Sequence, residues 1–187
     1  MSLIKRLFGH FKTITHHRHL VMLMCFKCGL IKQGLLHDLS KYSLIEFIPG
    51  VKYYQGYRSP ISKEREENGY SLGWLHHEGR NKHHFEHWVD KDYKNLDYYV
   101  INMPLNYLLE GVIDKIAASK NYNKNNYTDS TAYDFLMNGK DQYLMGKENL
   151  RRTLYLLKYL KDNGEEKALK YYKELYHSWK KDHKFDI

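Results

Sequence analysis

The pair His37-Asp38 closes an apolar run and is followed at once by Leu39-Ser40-Lys41. One neutral ring nitrogen and one anionic oxygen from a single turn of backbone suit a hard or borderline divalent metal better than any common structural role. Further donors lie on both sides. His17 sits in His16-His17-Arg18-His19, and a block from Trp74 to Trp88 carries His76-His77 and His83-His84. Asp114 falls between Ile113 and Ile116 on an otherwise apolar helical face. An aspartate buried there without a cation is costly, so metal ligation explains its place better than a solvated face does.

Twelve histidines are too many to be ligands together, and adjacency gives a filter. Neighbours on a helix point about 100° apart, so one member of each pair is expected to face a metal while the other turns aside. His77 and His84 are the expected inward members, with His76 and His83 as the alternatives. A turn at Gly79 would reverse the chain and bring both pairs to one opening. His10, His177 and His183 lie among charged residues near the chain ends and read as surface histidines.

Helices must position these groups. Three prolines and long stretches without glycine leave periodic segments intact, which predicts an all-α fold in a single domain over residues 1–187. The spacing predicts a first helix over about 3–28, bending near Thr13-Ile14-Thr15 and stopping at Gly29. Ser43 with Glu46 three residues later matches a capping box, so a helix is expected to start there and end near Pro49-Gly50. Residues 51–60 read as an aromatic loop, 62–77 as a helix, 78–81 as a turn and 82–89 as a further helical piece. Leu105, Leu108, Leu109, Val112, Ile113 and Ile116 recur at spacings of three and four, the signature of an amphipathic helix. Residues 121–126 form a polar loop. Two last helices, about 141–162 and 165–181, flank Asp162-Asn163-Gly164 and make a C-terminal αα-hairpin outside the chemistry.

The order His17, His37-Asp38, Asp114 resembles the HD superfamily of metal-dependent phosphohydrolases, whose pattern is His … His-Asp … Asp on a helical bundle. Leu35-Leu36-His37-Asp38-Leu39-Ser40-Lys41 looks like that superfamily's His-Asp-x-x-Lys turn, and Asp114 looks like its late helical aspartate. The Trp74–Trp88 stretch looks like the histidine-rich block of a small uncharacterised bacterial family related to it. The resemblance covers about residues 10–120 and implies an HD-like helical bundle whose metal is held by His17, His37, Asp38 and Asp114. It implies one divalent ion (Mn, Fe, Zn, Mg, Ni or Co), or two where histidines such as His77 and His84 hold the second. The implied reaction is hydrolysis of a small phosphorylated molecule, a nucleotide among the candidates. Lys41 and Arg80 would clamp phosphate, Lys as a point charge and Arg as a bidentate fork, and Glu78 would take or relay a proton. An HD-type di-iron oxygenase is the alternative on the same fold. A helical module with a structural metal that binds RNA or another anionic partner is the alternative from another class.

Bulk properties narrow the field. The stretch from Leu20 to Leu36 is interrupted by Lys27 and Lys32, too polar and too short to span a bilayer, so a cytoplasmic protein with no membrane partner is expected. Cys25 and Cys28 have redox or zinc spacing but lie in an apolar helical segment without a second pair, and read as buried small hydrophobes. A net charge of +8 with 18 tyrosines raises nucleic-acid binding. The cations form no clustered stripe, which argues against it.

Overall fold

A computed structural model describes residues 1–95, 97–139 and 144–183. The fold is all-α, with a single two-stranded hairpin among the described residues. The helices are α1 (Leu3–Lys27), α2 (Ile31–Leu36), α3 (Leu44–Lys52), α4 (Pro60–Asn68), α5 (Leu72–Arg80), α6 (Leu105–Asn123), α7 (Thr131–Gly139), α8 (Lys147–Asn163) and α9 (Glu165–Asp182). Strands β1 (Val89–Asp92) and β2 (Asp97–Val100) pair antiparallel with Val89 opposite Val100.

Helix α6 is the axis of the packing, in contact with α1, α2, α7, α8 and α9. Its row Leu105, Leu108, Leu109, Val112, Ile113 and Ile116 is buried, each side chain contributing about 2 kcal/mol by leaving water. Val21 and Cys25 of α1, Leu156, Leu157 and Leu160 of α8 and Tyr172 of α9 join it in one hydrophobic cluster. The Tyr172 hydroxyl donates to the Leu156 carbonyl at 2.6 Å, which satisfies the polar atom inside this core. The αα-hairpin therefore builds the same core as the donor-bearing helices. Its first helix starts at Lys147, and residues 141–143 of the expected span lie outside the described residues.

Several boundaries differ from expectation for identifiable reasons. Helix α1 runs unbroken to Lys27: Thr13 donates its hydroxyl back to the Gly9 carbonyl at 2.9 Å, so the β-branched pair is accommodated. Ser43 does sit at the N-cap of α3, but its side chain makes no capping bond, and the Glu46 carboxylate that would complete the box turns inward to two histidines. Helix α3 continues through Pro49 to Lys52. The expected helix over 62–77 is two, divided at Gly69, whose φ of 80° lies in the left-handed region that glycine adopts without strain. Helix α5 runs past Gly79 to Arg80, so Gly79 makes no turn and the chain reverses only at Asn81. Residues 85–88 form a single 3-10 turn.

Cys25 and Cys28 are buried free thiols, with burial pushing the Cys28 thiol up to about 12. His10, expected at the surface, is buried against Phe47 and Tyr54, with its ring over Gly50. Burial, then the Lys41 charge, lowers its pKa from 6.5 to about 4. A histidine with a depressed folded pKa stabilises the fold fully above its unfolded value, and that stability is lost as pH falls from 6.5 towards 4. His10→Leu is expected to remove up to about 3 kcal/mol of the acid-side loss over that window, read from denaturant midpoints across a pH series.

Candidate metal centre

Every expected metal donor converges on Asp38. His37 ends α2 and Asp38 follows with φ 53° and ψ 25°, a left-handed conformation that is uncommon outside glycine and costs on the order of 1 kcal/mol. This turn buries the Asp38 carboxylate completely. On its Oδ2 side lie His37 Nε2 at 3.2 Å and His17 Nε2 of α1 at 3.6 Å, and Asp114 Oδ1 of α6 is 2.9 Å from His17 Nε2. On its Oδ1 side lie His77 Nε2 of α5 at 3.2 Å and His83 Nε2 at 3.5 Å. Two groups of potential ligands result, His17 with His37, Asp38 and Asp114, and Asp38 with His77, His83 and His84. Asp38 is common to both.

Both histidines of the second pair face the centre, contrary to the expectation that only one would. Residues 81–84 are not helical, so the 100° rule does not apply, and the rings of His83 and His84 lie 4.2 Å apart between centroids. Gly111 makes this approach possible: a Cβ there would lie 2.6 Å from the His83 carbonyl oxygen. In the first pair, His77 is inward and His76 turns aside, as the helical argument requires. His76 donates from Nδ1 to Glu46 at 2.6 Å and accepts from Arg80 Nε at 2.8 Å.

Two buried glutamates that the sequence did not mark as site residues orient the rings. Glu110, one helical turn before Asp114, accepts from Nδ1 of His37 at 3.0 Å and of His83 at 3.1 Å. Glu46 accepts from Nδ1 of His77 at 2.8 Å. Each of these bonds places the ring proton on Nδ1 and leaves the Nε2 lone pair aimed at the centre, the arrangement by which outer carboxylates set up metal-binding histidines. Asn81 braces the turn by donating to the His77 carbonyl at 2.8 Å and to Ser40 Oγ at 2.9 Å. A sequence signal for Glu110 existed in its spacing from Asp114. Glu46 carried a stronger local signal, the capping box, which pointed elsewhere.

The electrostatics call for a cation. Asp38, Glu46 and Glu110 bring negative charge into the interior, the half-buried Asp114 adds to it at the cavity, and Lys41 lies 2.5 Å from Asp38 Oδ2. Burial raises the Asp38 pKa, but His37, Lys41, His77 and a hydrogen bond from His17 together outweigh it and hold the carboxyl well below the usual range. Burial lowers His37, and the Asp38 charge with bonds to Asp114, Asp38 and Glu110 reverses that and raises it well above 6.5, so a cation binding there would displace the proton from its Nε2. Burial and neighbouring histidines lower His83 and His84, which keeps those rings neutral and able to ligate. The Nε2 atoms of His17, His37, His77, His83 and His84 and both oxygens of Asp38 are buried without a hydrogen bond of good geometry, although Lys41 pairs with Oδ2. So many polar atoms aimed at one another could hold a metal ion.

A cavity of about 410 Å³ reaches His17, His77, His84 and Asp114 and is walled by Ile14, Ala118, Ala132, Phe135 and Leu136. Lys41 and Lys115 line it. Lys41 was read as a phosphate clamp, and the structure pairs its ammonium with the shared Asp38. Arg80 is occupied by His76, and Glu78 lies beside Arg65 and Trp74. Neither lines the cavity, so the clamp and relay roles read for them do not fit their positions.

The model of a family of unknown function, DUF5662, matches residues 6–160. The chain belongs to that family. No curated protein and no solved structure matches it. The matched span runs from α1 into α8 and contains every member of the centre.

Gly111→Ala tests how the centre is assembled. The added methyl must displace the His83 backbone or shift α6, which carries Asp114 and Glu110. The expected result is a loss of about 1–3 kcal/mol in stability together with a fall in bound metal, measured by chemical unfolding and elemental analysis.

Proposed function

We propose that this protein is a metal-dependent phosphohydrolase acting on a small phosphorylated molecule, a nucleotide being one candidate. The observation that carries the reading is the convergence of unpartnered ring nitrogens and carboxylate oxygens on Asp38 beside a cavity. The order of His17, His37-Asp38 and Asp114, similar to the HD pattern, supports it. His17, His37, Asp38 and Asp114 would hold one ion, and Asp38, His77, His83 and His84 a second. A bound divalent ion supplies Lewis-acid polarisation of a phosphoryl oxygen and an acidified water.

The chain's own residues supply the rest. Glu110 and Glu46 hold the rings in the ligating tautomer, and Lys41 offsets the charge of Asp38. Lys115, next to Asp114 and facing the cavity, supplies positive charge where an anionic group would enter. The apolar wall formed by Ile14, Ala132 and Leu136 can take the organic part of an ester. A structural ion would need no such cavity, which favours a reaction over a purely structural module. An HD-type di-iron oxygenase would draw on the same shared carboxylate.

The test is phosphate release from a panel of phosphomonoesters, nucleoside monophosphates included, with and without Mn²⁺ and after chelation. Metal-dependent release is expected. Lys41→Met is expected to keep the ion, because Asp38 is then freer to ligate, and to lose turnover on the order of a hundredfold through weaker charge stabilisation. Loss of metal in that variant would contradict its role. Oxygen uptake with iron and no phosphate release would replace the hydrolase reading by the oxygenase.

A further inference from the structure

The first three turns of α1 carry an apolar row left exposed by the described residues. Leu3, Ile4, Leu7, Phe8 and Phe11 fall within one face of the helix and are 40% to 67% exposed. The row does not end with α1. Phe11 packs edge-on against Tyr42 at 5.9 Å between centroids, and Tyr42 leads into α3, whose Leu44, Ile45 and Ile48 are 57% to 72% exposed. Apolar side chains grouped on one side in this way mark an interaction surface, whereas scattered ones do not.

Charge selects the occupant. No acidic residue occurs before Asp38, while Lys5, Arg6, Lys12, Arg18, Lys27 and Lys32 all precede it. Lys5 and Lys12 are exposed beside the apolar row, and Arg6 donates to the Lys52 carbonyl at 2.7 Å, holding this part of α1 against the end of α3. Apolar side chains flanked by cations and free of acids match the boundary between headgroups and acyl chains of an anionic bilayer. A second copy meeting this face would set the same cations against each other with no acid from the segment to offset them. No helix among the described residues is long and apolar enough to cross a membrane, but lying in the interface requires neither property.

We propose that the protein docks on anionic membrane surfaces through the exposed apolar face of α1 and the adjoining face of α3. Leu3, Ile4, Phe8 and Phe11 enter the headgroup region while Lys5 and Lys12 pair with lipid phosphates. Arg18 holds the carbonyls of Leu35 and His37 and lies over the Tyr42 ring, so the docking face and the His37-Asp38 turn share one scaffold. The surface is independent of the reaction at the metal centre.

Flotation of the full chain with vesicles tests this directly. Binding is expected to vesicles of equal parts phosphatidylcholine and phosphatidylglycerol at low salt, with release at high salt and no binding to phosphatidylcholine alone. Lys5→Gln and Lys12→Gln are each expected to weaken binding about fivefold, and Phe8→Ser to abolish flotation. All three sites are exposed, and circular dichroism checks that folding is unchanged. The salt release of the unaltered chain is a readout that needs no variant. Failure to float with the phosphatidylglycerol vesicles would overturn the proposal, as would a stable dimer that Phe8→Ser splits.

Discussion

A carboxylate with no access to water governs this structure. Asp38 is fully buried, and an ionised group there costs several kcal/mol unless opposite charge surrounds it. Lys41 provides one such charge from a single direction. Five imidazole nitrogens from four segments of the chain provide the rest of the surroundings, but none of their Nε2 atoms makes a hydrogen bond of good geometry. A cation between them would resolve both shortages at once. The left-handed turn at Asp38, the convergence of α1, α5 and α6 and the close passage of His83 over Gly111 all follow from surrounding this one group.

The helices serve it at two depths. The apolar side of α6 anchors the bundle through Leu109, Val112, Ile113 and Ile116, while Glu110 and Asp114 on the same helix reach the centre. The rigidity of the core thereby becomes precision at the site, because a ring held at Nδ1 by Glu110 or Glu46 has little freedom at Nε2. The αα-hairpin contributes from a distance by closing the core behind α6.

The sequence revealed the centre unevenly, for reasons of periodicity. His37-Asp38 and Asp114 could be read because their types are improbable beside apolar neighbours. The all-α class was visible from the rarity of helix breakers and the spacing of Leu105 to Ile116. His83 stood only as the alternative to His84, because the rule for adjacent helical residues was applied to a stretch that is not helical. Glu46 was hidden by a local capping pattern which tertiary contacts with His76 and His77 override. His10 looked solvated from its charged neighbours, although it packs between Phe47 and Tyr54, partners distant in sequence. Long-range contacts of this kind have no local signature.

Whether a metal ion belongs at Asp38 is decided by anomalous diffraction from crystals of the protein purified without added metal. A peak is expected about 2.0–2.2 Å from Asp38 oxygen and histidine Nε2 atoms, at the absorption edge of the metal that elemental analysis finds. Crystals soaked in Mn²⁺, Fe²⁺ and Zn²⁺ that show no peak there, with the same side chains in place, would contradict it.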